Sequence, residues 1–172
     1  MATGDAVFPM MYPVTGFKLG TTSAGIKTPG RSDLVVMEIA EGSSVAALFT
    51  KNAFCAAPVT VCKEHLVRCP PRYLLINTGN ANAGTGEQGL LDATHSCSAL
   101  ASSRGVDINA ILPFSTGVIG EFLPMDKLMA GIPNAVENLS EQGWEEAAKG
   151  ILTTDTRPKG SSRQYGDDHQ VT

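Results

Sequence analysis

A chain of 172 residues is long enough for one domain with a sizeable core, or for one large piece of a bigger domain. With 42% hydrophobic residues, 17% charged residues and a net charge of −4, it offers no electrostatic case for nucleic acid or anionic lipid. It also has no apolar run near the roughly 18 residues a membrane span needs.

The N-terminal Met1-Ala2-Thr3-Gly4-Asp5 carries an acid and no Lys or Arg, unlike a secretory signal or an Arg-rich transit peptide, so the cytoplasm is the expected compartment. Leu34-Val35-Val36-Met37-Glu38-Ile39 and Val45-Ala46-Ala47-Leu48-Phe49-Thr50 are short apolar runs separated by the turn-forming Glu41-Gly42-Ser43-Ser44. They predict an antiparallel pair. Pro58-Val59-Thr60-Val61-Cys62 extends it as a further strand, with proline at the start where its missing N–H does least harm. Cys69-Pro70-Pro71 breaks the chain before a strand at Tyr73-Leu74-Leu75-Ile76.

That strand runs into Asn77-Thr78-Gly79-Asn80-Ala81-Asn82-Ala83-Gly84-Thr85-Gly86, with three Asn and three Gly in ten residues. Both residue types tolerate positive φ, and Asn side chains bond nearby backbone, so a tight irregular loop is predicted. A helix follows. Thr85 and Gln88 have capping-box spacing, Leu90, Ala93, Cys97 and Ala101 repeat at helical intervals, and Arg104-Gly105 suits a C-terminus. Ala110-Ile111-Leu112-Pro113-Phe114 reads as a buried strand leading into Ser115-Thr116-Gly117-Val118-Ile119-Gly120. A second helix starts near Pro124-Met125-Asp126, and a third runs from Ser140 as N-cap through Trp144, Ala147, Ala148 and Ile151. The tail from Arg163 is polar. Mixed strands and helices without repeats or linker predict a single α+β unit over 1–172, a layered sandwich rather than a doubly wound sheet.

Cys55, Cys62, Cys69 and Cys97 fit no usual zinc spacing, and with only three histidines no metal site is expected. The cysteines read as buried free thiols. His65, beside Lys63 and Glu64, reads as a solvated position at a helix start. His95 falls off the core stripe, and His169 lies in the tail next to Asp167 and Asp168. None has a placed nucleophile.

Three polar segments leave hydrophobic elements: 77–86, 115–120 and 153–159. Loops at element ends are where a rigid scaffold aims functional groups, although plain turn chemistry explains an Asn/Gly-rich loop equally well. Ser115-Thr116-Gly117 is the more chemical of the three. A glycine lets a backbone N–H approach a substrate, a neighbouring threonine hydroxyl supplies a second donor, and two convergent donors suit a developing oxyanion. GxSxG, HExxH and GxxxxGK[ST] motifs are absent.

The same loops carry a resemblance. The 77–86 segment, Ser115-Thr116-Gly117-Val118-Ile119-Gly120 with Leu123-Pro124-Met125, and the 147–159 segment AAKGILTTDTRPK are similar to the ornithine acetyltransferase family. Pro13-Val14-Thr15-Gly16-Phe17, Ala24-Gly25-Ile26-Lys27 and Leu48-Phe49-Thr50-Lys51-Asn52 fit as well, so the resemblance covers nearly the whole chain in order. It implies a layered sandwich of two packed β-sheets flanked by helices, like that of the N-terminal-nucleophile hydrolases, with different connectivity. It also implies a precursor that cuts itself before a threonine, giving α and β subunits in an α2β2 assembly. The new terminal threonine takes acetyl from N-acetylornithine and passes it to glutamate, in the cyclic route of arginine biosynthesis. No cofactor is implied, and some members also accept acetyl-CoA as a substrate.

By this resemblance Thr116 and Gly117 form the oxyanion hole, through a hydroxyl and a backbone N–H, and Thr153 contacts substrate. A local bond from Thr153 to backbone is the plainer alternative. The 77–86 loop supports the site. The family's Ala-Thr-Met-Leu cleavage motif and the Lys-Gly segment before it do not occur in this sequence. The resemblance therefore implies that the nucleophile lies on a partner β subunit, and that this chain alone does not turn over. A self-cleaving aminopeptidase or amidase of the same superfamily, and a non-catalytic anion-binding module, are the rival readings.

Overall fold

The computed structural model describes residues 7–26, 28–166 and 169–172. The readings on Met1–Asp5, Lys27, Asp167 and Asp168 lie outside them. Strands β1 (Phe17–Thr22), β2 (Leu34–Ile39), β3 (Tyr73–Asn80) and β4 (Ile111–Val118) form one sheet in that spatial order. The first two pairings are antiparallel, and β3 with β4 is parallel. A parallel neighbour needs a crossover, which the 19-residue helix α2 (Gly86–Arg104) supplies. Helices α1 (Ala57–Leu66), α3 (Met125–Glu137) and α4 (Trp144–Gly150) complete the four α-helices among the described residues. A two-stranded ribbon, β5 (Arg163–Tyr165) with β6 (His169–Val171), forms a second small sheet. The architecture is α+β.

Side chains alternate across the strands, so the sheet has two distinct faces. Leu34, Val36, Tyr73, Leu75 and Ile111 point to one, where α1, α2 and α3 cover them with Val61, Cys97, Leu100, Leu128 and Ile132. Fully burying a side chain such as Leu100 stabilises the fold by about 1.5–3 kcal/mol. The opposite face carries Leu19 and Val35, against which α4 packs Ala147, with Trp144 stacked on Phe17 at 5.5 Å.

Several sequence expectations change. The 45–50 run is not a strand. It has no regular secondary structure and Leu48 is fully exposed, because both edges of β2 are taken by β1 and β3. Residues 58–62 lie in helix α1, with Pro58 in its first turn, where a missing N–H is harmless. Strand β1 escapes the sequence reading because Gly20 interrupts it. That glycine is required: a Cβ there would lie 2.0 Å from the Ala135 carbonyl oxygen of α3, so the helix can only sit this close to a bare backbone.

The capping box on Thr85 does not form. The Thr85 hydroxyl donates to Asn82 Oδ1 at 2.8 Å, and Gln88 donates to Asp92 instead. Leu90 lies off the buried stripe, which begins at Gly89, while Gly105 ends α2 in the left-handed conformation at φ 64°. Ser140 does not cap α4, whose N-cap is Gly143; it bridges to Leu19 of β1, and its hydroxyl accepts from the Gln142 amide.

His65 is buried, at 5% exposure, not solvated. Helix α1 lies along the open edge of β4, and its side chains meet that edge's carbonyls. The His65 ring nitrogen Nδ1 is 2.7 Å from the Ile111 oxygen, and the Cys62 thiol donates to the Pro113 oxygen at 3.0 Å. Cys62 and Cys97 are buried thiols as expected, whereas Cys55 and Cys69 are only half-buried.

Candidate functional site

Parallel strands β3 and β4 end at the same edge of the sheet, so the segments leaving them converge there, the usual place for a site beside parallel strands. In register, Thr78 faces Thr116 and Gly79 faces Gly117, after which a bulge at Asn80 ends the regular pairing. A bulge re-aims side chains and is common beside functional sites. Gly117 adopts φ 138°, and a Cβ on it would lie 2.3 Å from the Gly79 carbonyl carbon. Only glycine fits that position.

The Asn/Gly segment, whose first four residues close β3, buries Asn77, Asn80 and Asn82 and bonds all three. Ser115 Oγ donates to Asn77 Oδ1 at 2.6 Å, and Asn77 Nδ2 donates to the Asn80 oxygen at 2.9 Å. Asn80 Nδ2 donates to the oxygens of Glu121 and Phe122, and Asn80 Oδ1 accepts from the Asn82 amide. Asn82 is fully buried at φ 45° and donates to the Gly89 oxygen, pinning the start of α2. These bonds tie the end of β3 to both Ser115 and the chain after Val118. They hold the Thr116-Gly117 corner between them. Buried polar groups this well satisfied rigidify a site rather than weaken it.

Thr116 and Gly117 line a cavity of about 450 Å³, and Thr153 lines the same cavity together with Arg31, Asp33 and Thr78. The structure therefore brings all three sequence-predicted site residues together, two on β4 and one on the segment that follows α4. Thr116 is partly buried, while Gly117 and Thr153 are exposed, so each is accessible to a ligand in the cavity.

Arg31 and Asp33 are missing from the sequence reading, and Thr78 enters it only as part of the 77–86 segment, with no role of its own. Asp33 is buried, and its two carboxylate oxygens accept from the amides of Ala24 and Ile26 at 2.7 and 2.6 Å, fixing the loop before β2. Its backbone oxygen accepts from the Thr78 amide at 2.9 Å. A local signal exists only for Asp33, an acid opening an otherwise apolar strand. Arg31 and Thr78 reach partners far along the chain, which no local pattern marks.

The cavity offers threonine hydroxyls and backbone amides, with the Arg31 guanidinium and the Asp33 carboxylate in its lining. Among the described residues no group of three His, Cys, Asp or Glu side chains is arranged to hold a metal ion. Further along, the Asp155 carboxyl is held below the usual carboxylate range by its hydrogen bond to Lys159.

Comparison with known proteins gives this cavity a context. The model of the ArgJ family matches residues 18–172. The arginine biosynthesis bifunctional protein ArgJ of Pseudomonas syringae pv. tomato is 58% identical over 168 residues, covering 98% of this chain and 41% of that protein. The protein of the same name from Methylococcus capsulatus is 59% identical over 154 residues, or 90% of this chain and 38% of that protein. The chain thus spans about two-fifths of the length of these curated relatives. Among solved structures, an ornithine acetyltransferase of Mycobacterium tuberculosis complexed with ornithine superposes with a TM-score of 0.87 at 34% identity. That match covers 94% of this chain and 88% of the other. The arginine biosynthesis bifunctional protein from Bacillus halodurans gives 0.75 at 35% identity, over 83% of this chain and 74% of the other. The chain belongs to the ArgJ family.

Proposed function

We propose that this chain is the α portion of a glutamate N-acetyltransferase, and that it supplies the oxyanion hole for acetyl transfer from N-acetylornithine to glutamate. The observation that carries the reading is the meeting of Thr116, Gly117 and Thr153 around one cavity at the end of the parallel strand pair. The relative crystallised with ornithine shares this fold over nearly the whole chain.

The threonine nucleophile belongs to the β portion that continues the relatives beyond this chain. Its hydroxyl, relieved of its proton by the free terminal amine, attacks the acetyl carbonyl carbon of N-acetylornithine. The carbonyl oxygen becomes an oxyanion, which accepts hydrogen bonds from the Thr116 hydroxyl and the Gly117 backbone N–H. Collapse breaks the C–N bond as the terminal ammonium gives its proton to the leaving nitrogen, so ornithine departs as the amine and acetyl stays on the threonine oxygen. Glutamate's neutral amine then attacks the ester through the same oxyanion, loses a proton to the terminal amine, and leaves as N-acetylglutamate as that proton returns to the threonine oxygen. Acetyl-CoA would enter by the same first half, with a thiolate as leaving group. Donors held in place by the Asn77–Ser115 and Asn80 bonds need not reorganise as charge develops, which is the source of the rate gain. Thr153, across the cavity, contacts the bound amino acid.

The test uses the complete protein, both portions present. N-acetylornithine with glutamate should give N-acetylglutamate and ornithine, with hydrolysis of amino-acid amides negligible. Thr116→Ala should lower kcat by roughly 10²-fold or more, the usual loss for one oxyanion donor, with the two portions still associated. Unchanged kcat would remove Thr116 from the mechanism. Amide hydrolysis outrunning transfer would favour the aminopeptidase reading, and absence of both activities would favour the binding module.

A further inference from the structure

Thr153 is exposed and follows the short helix α4, so the direction of its hydroxyl depends on what holds the 150–152 backbone. Two long-range hydrogen bonds do so. The buried Thr78 of β3 donates its hydroxyl to the Gly150 oxygen at 3.0 Å, and Arg31 donates through Nη2 to the Leu152 oxygen at 2.5 Å. Their partners are 72 and 121 residues away in sequence, so neither bond is local.

Both donors are themselves fixed. Thr78 is 3% exposed, and its amide donates to the Asp33 oxygen. Arg31 lies in the loop whose other end Asp33 secures through Ala24 and Ile26. Thr78 also sits directly opposite Thr116 in the strand register. One strand position therefore connects the oxyanion corner, the 24–33 loop and the backbone that carries Thr153.

We infer that Thr78 and Arg31 are positioning residues for Thr153, clamping the carbonyls of Gly150 and Leu152 so that its hydroxyl faces the Thr116-Gly117 corner across the cavity. The inference rests on the proposed substrate-contacting role of Thr153. Neither clamp residue needs to touch substrate. Arg31 acts through a backbone carbonyl that immediately precedes Thr153. Thr78 acts two residues earlier, where α4 ends. Because Thr153 holds the substrate in ground and transition states alike, loosening the clamp should weaken binding more than chemistry, so KM rises while kcat holds.

The experiment is a double-mutant cycle on the complete protein. Arg31 is exposed, so Arg31→Met should assemble normally, which thermal unfolding and copurification of both portions verify. It should raise KM for N-acetylornithine about 10- to 100-fold, the scale of a misplacement of about 1 Å, with kcat within about twofold. In a Thr153→Ala background, Arg31→Met should add little further change. Thr78→Val should behave like Arg31→Met, and Thr78→Ser, which keeps the hydroxyl, should restore a near-native KM. If Thr78→Val does not assemble, the Arg31 and Thr153 arm decides alone. If Thr153→Ala raises KM but Arg31→Met does not, or adds its full effect on top of Thr153→Ala, the clamp is wrong and the function stands. If Thr153→Ala itself leaves KM unchanged, the substrate role of Thr153 falls and takes the clamp with it.

Discussion

Replacing Gly117 by alanine tests the geometry of the oxyanion corner by adding a single carbon. The new Cβ would lie 2.3 Å from the Gly79 carbonyl carbon, 2.5 Å from the Asn80 nitrogen and 2.6 Å from the Gly79 oxygen. All three are backbone atoms, so no rotamer change relieves the overlap. Reaching ordinary contact requires β3 and β4 to part by about 1 Å at this register, an overpacking cost of about 1–3 kcal/mol. Alanine at φ 138° adds backbone strain of about 1–3 kcal/mol. The sum is about 2–6 kcal/mol. Gly105→Ala is the control, since that glycine has φ 64° with nothing within 4 Å of its Cβ position and should cost only about 1 kcal/mol. Thermal unfolding of the two variants at one protein concentration should show a drop in Tm several times larger for Gly117→Ala. A drop equal to or smaller than that of Gly105→Ala would mean the strands are not held this close, and the corner is not rigid.

Two further outcomes follow from the edge of β4 and the core beneath it. Burial pushes the Cys62 thiol up from 9.0 to about 12, and burial reinforced by Cys62 does the same to Cys97. The folded state therefore retains protons that the unfolded chain releases between pH 9 and about pH 12, so stability from these groups is intact below pH 9 and declines as pH rises through that window. Alkylation at pH 8 followed by mass spectrometry should label Cys55 and Cys69 and spare Cys62 and Cys97; labelling of Cys62 as fast as Cys55 would contradict the packing of α1 on β4. His65→Leu removes the ring nitrogen that meets the Ile111 oxygen and leaves that carbonyl only the long Cys97 thiol contact at 4.0 Å, costing about 1–3 kcal/mol in thermal unfolding. Native stability in that variant would place His65 on the surface after all.

Much of the fold is legible in the sequence wherever local chemistry and tertiary structure agree. β2 and the first halves of β3 and β4 are apolar, α2 ends at a glycine with an arginine before it, and α3 starts at Met125 just after Pro124, whereas β3 and β4 each run four residues further, through the polar 77–80 and 115–118 segments, because they pair with each other there. The failures come where one local cue has two meanings. Pro58 suits a strand start and a helix first turn equally, and Val59, Thr60 and Val61 tip the balance toward strand. The four-residue spacing of Ala57, Val61 and His65, and of Pro58 and Cys62, is the helical signal, and all five are buried. β1 is hidden by Gly20, whose purpose is visible only once α3 is in place. The 45–50 run is apolar because it borders a cavity beside α1 and β4, not because it pairs.

At the site the contrast has the same origin. Thr116 and Gly117 sit in a contiguous motif that both donor chemistry and the family resemblance mark, and Thr153 sits in one that the resemblance alone marks. Arg31 and Thr78 matter only through carbonyls of Gly150 and Leu152, which the fold brings to them from the far end of the chain. Asp33 is intermediate: its place at the head of β2 is visible in sequence, but its two amide partners are not.

The most direct measurement is a structure of the complete protein with acetyl trapped on its nucleophilic threonine. The acetyl carbonyl oxygen should lie about 2.7–3.1 Å from both the Thr116 hydroxyl and the Gly117 amide nitrogen. An acetyl group whose oxygen points away from both, or a threonine nucleophile on the far side of the sheet from this corner, would contradict the account.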